Sequence, residues 1–200
     1  MRNNYYITTP IYYVNDKPHI GHAYTSIACD IMARFKRLDG YNVKFLTGTD
    51  EHGQKVEKAA LAQNKTPLEY ADLISKDFRA LTKTLNLSND DFIRTTEKRH
   101  KIASENLWKK LFDNNHIYLS KYSGWYALRD EAFYSEKEIT NGKAPTGAEV
   151  TWVEEESYFF DLSKWQDQLL NFYDENPTFI YPISRMNEVK SFVKSGLRDL

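Results

Sequence analysis

Residues 5–53 read YYITTPIYYVNDKPHIGHAYTSIACDIMARFKRLDGYNVKFLTGTDEHG, and this stretch decides the fold class. Its first segment, 5–9, is rich in β-branched and aromatic residues and stops at a proline, which predicts a buried strand. From Gly21 onward apolar residues recur at helical spacing, and Gly40 is a favoured residue just after a helix end. A second strand is predicted at 41–48. Strand, helix and strand in this order predict a βαβ unit, and therefore an α/β fold with a parallel sheet.

The chain beyond this stretch first continues with helices and then becomes β-rich. The sequence Thr66-Pro67-Leu68-Glu69 is a capping box with proline at the first helical position, which predicts a helix start. The pattern near residue 115 changes to aromatic, interrupted segments typical of short antiparallel strands. The further predicted elements are helices at 54–63, 66–85 and 97–114, a short strand within 88–96, a β-rich segment at 116–160, and helices at 162–175 and 184–198.

The composition is typical of a globular protein, and the net charge is close to zero. The 200 residues are 41% hydrophobic and 28% charged, and the net charge is −1. This balance gives no argument for DNA or a membrane surface as a partner, and we expect neither. Cys29 is the single cysteine, so neither a disulfide nor a cysteine-based zinc cluster can form within one chain. No run approaches the ~18 apolar residues of a membrane helix, and we expect a reduced, cytoplasmic setting.

The motif His19-Ile20-Gly21-His22 lies at the predicted turn from the first strand into the helix. Free backbone N–H groups and the helix dipole favour anions there, glycine permits close approach, and imidazoles can donate to phosphate oxygens. A metal pair would more commonly stand four residues apart in a helix and would need further ligands. The position therefore favours nucleotide phosphate, while a structural histidine pair and a metal pair stay open as alternatives.

The sequence GTDEHG (48–53) follows the second predicted strand. Ligands of open α/β sheets bind beyond the carboxyl ends of the strands. We therefore predict that Asp50, Glu51 and His52 face the same crevice as the histidine motif, where an acid could hold an ammonium group. Ordinary loop polarity is the alternative. The chain has no G-x-G-x-x-G, Walker A or G-x-S-x-G motif, so the common dinucleotide, P-loop and hydrolase interpretations lack support.

Taken together, these strings resemble the N-terminal catalytic half of bacterial methionyl-tRNA synthetases, which are class I aminoacyl-tRNA synthetases. H-x-G-H alone would indicate only the wider nucleotidyl-transferase superfamily, whereas TTPIYYVN and LTGTDEHG point to the methionine enzymes. The resemblance implies the first half of a Rossmann-type catalytic domain with a small β-rich connective insert. It continues through DDFIRTTEKRH (90–100), YSEKEI (134–139), YFF (158–160) and NEVKSFVKSGLRDL (187–200).

The resemblance also implies a reaction and a set of site residues. Methionine and ATP, with Mg²⁺, would give methionyl-adenylate and pyrophosphate, and the methionyl group would pass to the 3′ adenosine of tRNA(Met). The implied catalytic residues are His19 and His22. The implied ATP-binding residues are His19, Gly21 and His22, with Gly21 by the adenine. The implied methionine-binding residues are Pro10, Ile11, Tyr13, Asp50 and His52, with Asp50 holding the ammonium group.

Two departures from the family pattern lead to further expectations. Ala127 and Asp130 stand where zinc-containing relatives have cysteines, so we expect a zinc-free insert and no protein-bound metal. The second ATP motif, of Lys-Met-Ser-Lys-Ser type, is absent, so we expect a fragment that is inactive alone. The expected segments are 1–115 as the first half of the catalytic domain, 116–160 as the insert, and 161–200 as a helical return toward the second half.

Three alternative functions stay open at this point. The first is another H-x-G-H nucleotidyl-transferase, and the second is a class I synthetase for a different amino acid. The third is a non-catalytic remnant that binds a nucleotide or a protein partner.

Overall fold

The structure is a computed structural model that describes residues 3–200, except for the side chains of Tyr122 and Glu155. The chain divides into two compact units, Met1–Asn106 and Leu107–Leu200. The division into three segments that the sequence predicts stays a prediction.

The first unit is built from alternating strands and helices. Its elements are β1 (Asn4–Thr8), β2 (Tyr12–Tyr13), α1 (Ile20–Leu38), β3 (Asn42–Asp50), α2 (Gln54–Ala62), α3 (Pro67–Thr84), β4 (Asp91–Arg94) and the start of α4 (Lys98–Asp113). The predicted capping box is present at the start of α3. There the Glu69 carboxylate accepts from the Thr66 N–H at 2.9 Å, and the Thr66 hydroxyl accepts from the Glu69 N–H at 3.3 Å.

The four strands form a parallel sheet in which β1, β2 and β4 all pair with β3. The predicted βαβ unit and parallel sheet are therefore confirmed. β2 extends the pairing to the end of β3, where Tyr12 is in register with Thr49 and Tyr13 with Asp50. On the other side of β3, Arg94 is in register with Thr49. Because the strands are parallel, the carboxyl ends of β2, β3 and β4 lie at the same end of the sheet.

The core of the first unit lies between the sheet and the helices α2 and α3. Its central ring, Phe78, is 1% exposed. Burying an aromatic side chain of this size contributes roughly 1.5–3 kcal/mol, so this cluster stabilises the sheet end that carries the site. The buried members are Tyr12, Val14, Val56, Ala60, Tyr70, Ala71, Ile74, Phe78 and Phe92.

The predicted burial of β1 is wrong, and α1 leaves much of its apolar surface exposed. β1 pairs with β3 on one side. It is not a buried strand, since its Tyr6 side chain is 63% exposed. Helix α1 packs against its unit through Ser26, Asp30 and Ala33, which are small or hydrogen-bonded. Its apolar stripe remains open to solvent in the part of the chain that is described. The exposed apolar residues of α1 are Ile20, Tyr24, Ile27, Ile31, Met32, Phe35 and Leu38.

The second unit contains a three-stranded antiparallel sheet followed by helices. Its elements are β5 (Ile117–Ala127), β6 (Ala132–Tyr134), a 3₁₀ turn (Glu136–Glu138), β7 (Thr151–Phe160), a second 3₁₀ turn (Leu162–Trp165), α5 (Gln166–Glu175) and α6 (Ile183–Lys194). The predicted β-rich segment is confirmed. Helix α6 ends four residues earlier than the predicted 198, because Gly196 follows it with a φ of +106°.

Within residues 3–200, we find no helix whose length and apolar character would let it cross a membrane.

Candidate functional site

The two histidines of the motif cap helix α1 with their own rings. His19 is the N-cap, and its Nδ1 accepts a hydrogen bond from the Gly21 N–H at 3.1 Å. His22 is the third helical residue, and its Nδ1 accepts from the His19 N–H at 3.0 Å. Each neutral imidazole carries one proton. Because both Nδ1 atoms accept, the protons of the neutral rings lie on Nε2, which leaves two N–H donors for a ligand.

Gly21 is required by the position of the His19 ring. A Cβ atom at residue 21 would lie 2.9 Å from Cε1 of His19, closer than Cβ atoms approach in real structures, and a tight 3.1 Å from Nδ1 of the same ring. A side chain there would push the ring away from the helix and break the cap. The glycine of the motif therefore permits the capping geometry of the histidine before it.

His22 is held in an aromatic pocket. Its ring lies 4.8 Å from Tyr12 and 5.0 Å from Phe78, both edge-to-face, and 3.9 Å from His19 between centroids. The Tyr12 hydroxyl hydrogen-bonds Ser26 Oγ at 2.7 Å, which ties β2 to α1. Burial, followed by the nearby His19, lowers the pKa of His22 below its ordinary value of 6.5. The His22 ring is therefore neutral at pH 7 and donates through Nε2.

The residues after β1 run along the end of β3. Pro10 is exposed and Ile11 is 42% exposed, whereas Tyr13 is half-buried. A Cβ at Gly53, whose φ is +111°, would lie 2.4 Å from the Tyr13 hydroxyl oxygen. The Tyr13 ring therefore lies over Gly53, at the strand end that carries Asp50. These residues combine an apolar surface with one carboxylate, which is the composition expected for a small amphiphilic ligand.

Asp50 and Glu51 differ in how their carboxylates are satisfied. Asp50 is half-buried, and no hydrogen bond or ion pair joins its carboxylate to any side chain or backbone group that the structure describes. The Glu51 side chain is fully buried, and its carboxylate accepts from Arg94 at 2.7 Å and from Thr49 at 2.7 Å. The expectation that Glu51 faces the ligand crevice is therefore wrong, because β4 supplies the partners that bury it. Asp50 is available to a cationic ligand.

His52 lies on the β4 side of the site. Its side chain is exposed, and Nε2 is 3.4 Å from the Thr95 carbonyl oxygen. It lines a shallow cavity of about 260 Å³ together with Thr95, His100, Lys101, Ser104 and Glu105. A role for His52 in binding methionine stays a prediction.

Sequence reasoning missed several residues that organise the site. Tyr12 and Phe78 hold His22, Gly53 accommodates Tyr13, and Arg94 pairs with Glu51. The GTDEHG string already contained Gly53, because a glycine after a polar strand end often permits a positive φ. The partner of Glu51 was not visible, since it comes from a strand more than forty residues away.

The β-rich segment of the second unit has a polar centre where Asp130 lies. The Asp130 carboxylate accepts from the Tyr134 hydroxyl at 3.0 Å, from Arg129 Nε at 3.2 Å and from the Thr146 hydroxyl. These donors, the Thr146 hydroxyl first, hold the pKa of Asp130 below its ordinary value. Ala127 beside it is fully buried. The turn between β5 and β6 is thus held by hydrogen bonds to one carboxylate.

Comparison with known proteins identifies the family. A family model described as tRNA synthetases class I (M) matches residues 5–149. A methionine–tRNA ligase of Rickettsia felis is 67% identical over 100% of this chain and 39% of its own length. A methionine–tRNA ligase of Bacillus subtilis is 54% identical over 99% of this chain and 32% of its own length.

A solved structure with the same fold is the Mycobacterium tuberculosis methionyl-tRNA synthetase in complex with methionyl-adenylate. It matches with a TM-score of 0.91 and 51% identity over 99% of this chain and 40% of that chain. The apo form of the same enzyme matches with a TM-score of 0.74. The chain thus spans about 40% of the length of the first relatives that it matches. From the family model and these identities, the chain belongs to the family of class I tRNA synthetases described as (M).

Proposed function

We propose that this chain supplies the ATP corner and part of the methionine pocket of a methionine–tRNA ligase. In the proposed reaction the methionine carboxylate attacks the α-phosphate of ATP, methionyl-adenylate forms, and pyrophosphate leaves. The methionyl group then passes to the 3′ adenosine of tRNA(Met), with release of AMP. The relatives named methionine–tRNA ligase, and the complex of one enzyme of this name with methionyl-adenylate, support this proposal.

The ATP side of the proposed site is the start of α1. His19 and His22 direct their Nε2–H groups outward while their Nδ1 atoms are held by backbone N–H donors. Fixed donors of this kind stabilise the charge that develops on phosphoryl oxygens without reorganisation during the reaction. Gly21, between them, leaves room for the adenine ring. Because methionine brings its own nucleophile, the chain needs no nucleophilic side chain, and rate comes from alignment and charge stabilisation.

The methionine side of the proposed site is the adjoining ends of β2 and β3. The unpaired carboxylate of Asp50 would accept hydrogen bonds from the methionine ammonium group. Pro10, Ile11 and Tyr13 would contact the apolar thioether, and His52 would contribute from the β4 side. The single observation that carries the proposal is that two features occur together. Helix α1 begins with two fixed Nε2–H donors, and β3 ends with the unpaired carboxylate of Asp50.

The remaining proposals concern metals, tRNA and location. Among residues 3–200, no group of three or more His, Cys, Asp or Glu side chains could hold a metal ion. We propose that Mg²⁺ arrives with ATP and is held by the phosphates, as is usual for this ion. We also propose that the insert is zinc-free, with Asp130 as its organising centre, and that the protein acts on tRNA(Met) in the cytoplasm without a membrane or DNA partner.

The proposal is tested with a chimera. Residues 1–200 replace the matching part of the M. tuberculosis enzyme, which is 51% identical to this chain. ATP–pyrophosphate exchange is then measured with each of the twenty amino acids in turn. We expect exchange with methionine and background exchange with the other nineteen. A folded chimera that exchanges with a different amino acid, or with none, would overturn the proposal.

A further inference from the structure

Glu51 is the centre of a buried polar network at the end of β3. Its Oε1 accepts from Arg94 Nε and from the Thr49 hydroxyl, each at 2.7 Å, and its Oε2 accepts from the Thr96 hydroxyl. Arg94 makes a second ion pair with Asp72 of α3. Three donors, one from β3, one from β4 and one from the turn after β4, therefore converge on a carboxylate that is closed to solvent.

Hydrogen bonds next to this network hold the backbone of Asp50 on both sides. The Asp50 carbonyl accepts from the Val14 N–H at 3.3 Å, and the next N–H, of Glu51, donates to the Thr95 hydroxyl at 2.8 Å. The Thr95 N–H donates in turn to the Thr49 carbonyl at 3.2 Å. Asp50 is thus held from β2 on one side and from the segment after β4 on the other.

Side-chain alternation separates the network from the free carboxylate. Successive side chains of a strand point to opposite faces. Thr49 and Glu51 therefore share one face, and Asp50 points to the other, which it shares with its register partner Tyr13. A one-residue slip in register at the strand end would exchange the two carboxylates between the faces. The bonds from Glu51 to Arg94 and Thr96 oppose such a slip.

A buried ion pair adds little net stability to a fold. The attraction between the two charges offsets their desolvation free energy only when the geometry is good, and apolar side chains of similar size often stabilise a fold equally well. Glu51 meets the geometric condition with donors on both of its oxygens. Glu51 directly follows Asp50, so the network can fix the direction of the strand end. Apolar packing would do this less well, because hydrogen bonds are directional and apolar contacts are not.

We infer that Glu51, through Arg94 and Thr96, is a positioning residue that holds Asp50 toward the amino group of the substrate. The inference rests on the proposed function. It extends that proposal by making recognition of the ammonium group depend on a residue that does not touch the ligand.

The first test is Glu51→Gln in the chimera, measured by methionine-dependent ATP–pyrophosphate exchange. The glutamine keeps the shape of the side chain but cannot accept from both Arg94 and Thr96. We expect the KM for methionine to rise on the order of 10- to 100-fold while the KM for ATP changes less than about threefold. Glu188→Gln, which removes a carboxylate from an exposed ion pair with Arg185, is the matched control and should change neither constant.

A double-mutant cycle separates positioning from general stability. If Glu51 acts through Asp50, then Glu51→Gln adds less than about twofold to the KM for methionine once Asp50→Asn is present. Full additivity of the two effects, or an equal rise of both KM values in Glu51→Gln, would overturn the inference. Absence of methionine-dependent exchange in the unsubstituted chimera would instead count against the proposed function.

A second measurement uses the 200-residue chain and needs no activity. Amide hydrogen exchange is followed at Val14 and Glu51, the two N–H groups whose bonds flank Asp50. We expect Glu51→Gln to speed exchange at both positions by at least tenfold, with unchanged exchange in helix α6 of the second unit. Unchanged protection at Val14 and Glu51 would overturn the positioning role whatever the activity of the chimera.

Discussion

Substitutions at His19 can separate its capping of helix α1 from its proposed contact with the ligand. Nδ1 of His19 caps α1, whereas its Nε2–H is free for a ligand. His19→Ala removes both functions. His19→Asn keeps the cap, because asparagine is among the best N-cap residues, but its amide is too short to reach the position of Nε2. Comparison of the two variants therefore measures the ligand function with the helix intact.

The expected magnitudes follow from these contacts. Loss of an N-cap side chain costs about 1 kcal/mol, which corresponds to a fall of about 2–4 °C in Tm for a chain of this size. Loss of one hydrogen bond to a charged phosphate costs about 1.5–3 kcal/mol, or a factor of roughly 10 to 150 in rate. We expect His19→Ala to show both losses and His19→Asn to show only the second.

The assays are thermal unfolding of the 200-residue chain and ATP–pyrophosphate exchange by the chimera. The companion variants His22→Ala and His22→Gln serve as an internal check, because glutamine at the third helical position can retain the capping bond. The reasoning fails if His19→Asn unfolds as early as His19→Ala, since the cap would then not be what the ring provides. It also fails if His19→Asn exchanges at the unsubstituted rate.

Three further predictions follow from the geometry. Because burial lowers the pKa of His22, its contribution to stability is complete above the ordinary value of 6.5 and is lost as pH falls through the lowered pKa; unfolding followed from pH 8 to pH 5 should be flatter for His22→Gln, and identical slopes would contradict this. Gly53→Ala should raise the KM for methionine in the chimera, because its Cβ would lie 2.4 Å from the Tyr13 hydroxyl oxygen, with Gly147→Ala as a control that also has positive φ but open space around it. Asp130→Ala should lower the Tm of the second unit, because the donors Tyr134, Arg129 and Thr146 would lose their common acceptor, whereas EDTA should leave Tm unchanged and metal analysis should find no zinc.

The first unit shows which parts of a fold a sequence can predict. The order of strands and helices followed from local periodicity, and the capping box at Thr66 located the start of α3 to the residue. The burial of α1 did not follow, because a helix with an apolar stripe is expected to bury that stripe. In this structure α1 instead buries Ser26 and Asp30 through hydrogen bonds to Tyr12 and Ser88. Those partners lie far away in sequence.

Some features of the candidate site could likewise be predicted from the sequence, and others could not. The position of the histidine motif and of Asp50 at a shared sheet edge could be predicted, because both follow a strand. The distinct environments of Asp50 and Glu51 could not, since adjacent acids look alike until a strand such as β4 supplies the partner for one of them. The capping role of the rings was also hidden, because histidine is not a residue that N-cap statistics favour.

We propose that α1 and the end of β3 hold ATP and methionine next to each other. The most direct measurement is a crystal structure of the chimera with methionine and a non-hydrolysable ATP analogue. We predict that Nε2 of His19 and of His22 lies within about 3.2 Å of phosphate oxygens, and that the Asp50 carboxylate lies within about 3.2 Å of the methionine nitrogen. Phosphates bound elsewhere, or an Asp50 carboxylate turned away from the amino group, would contradict it.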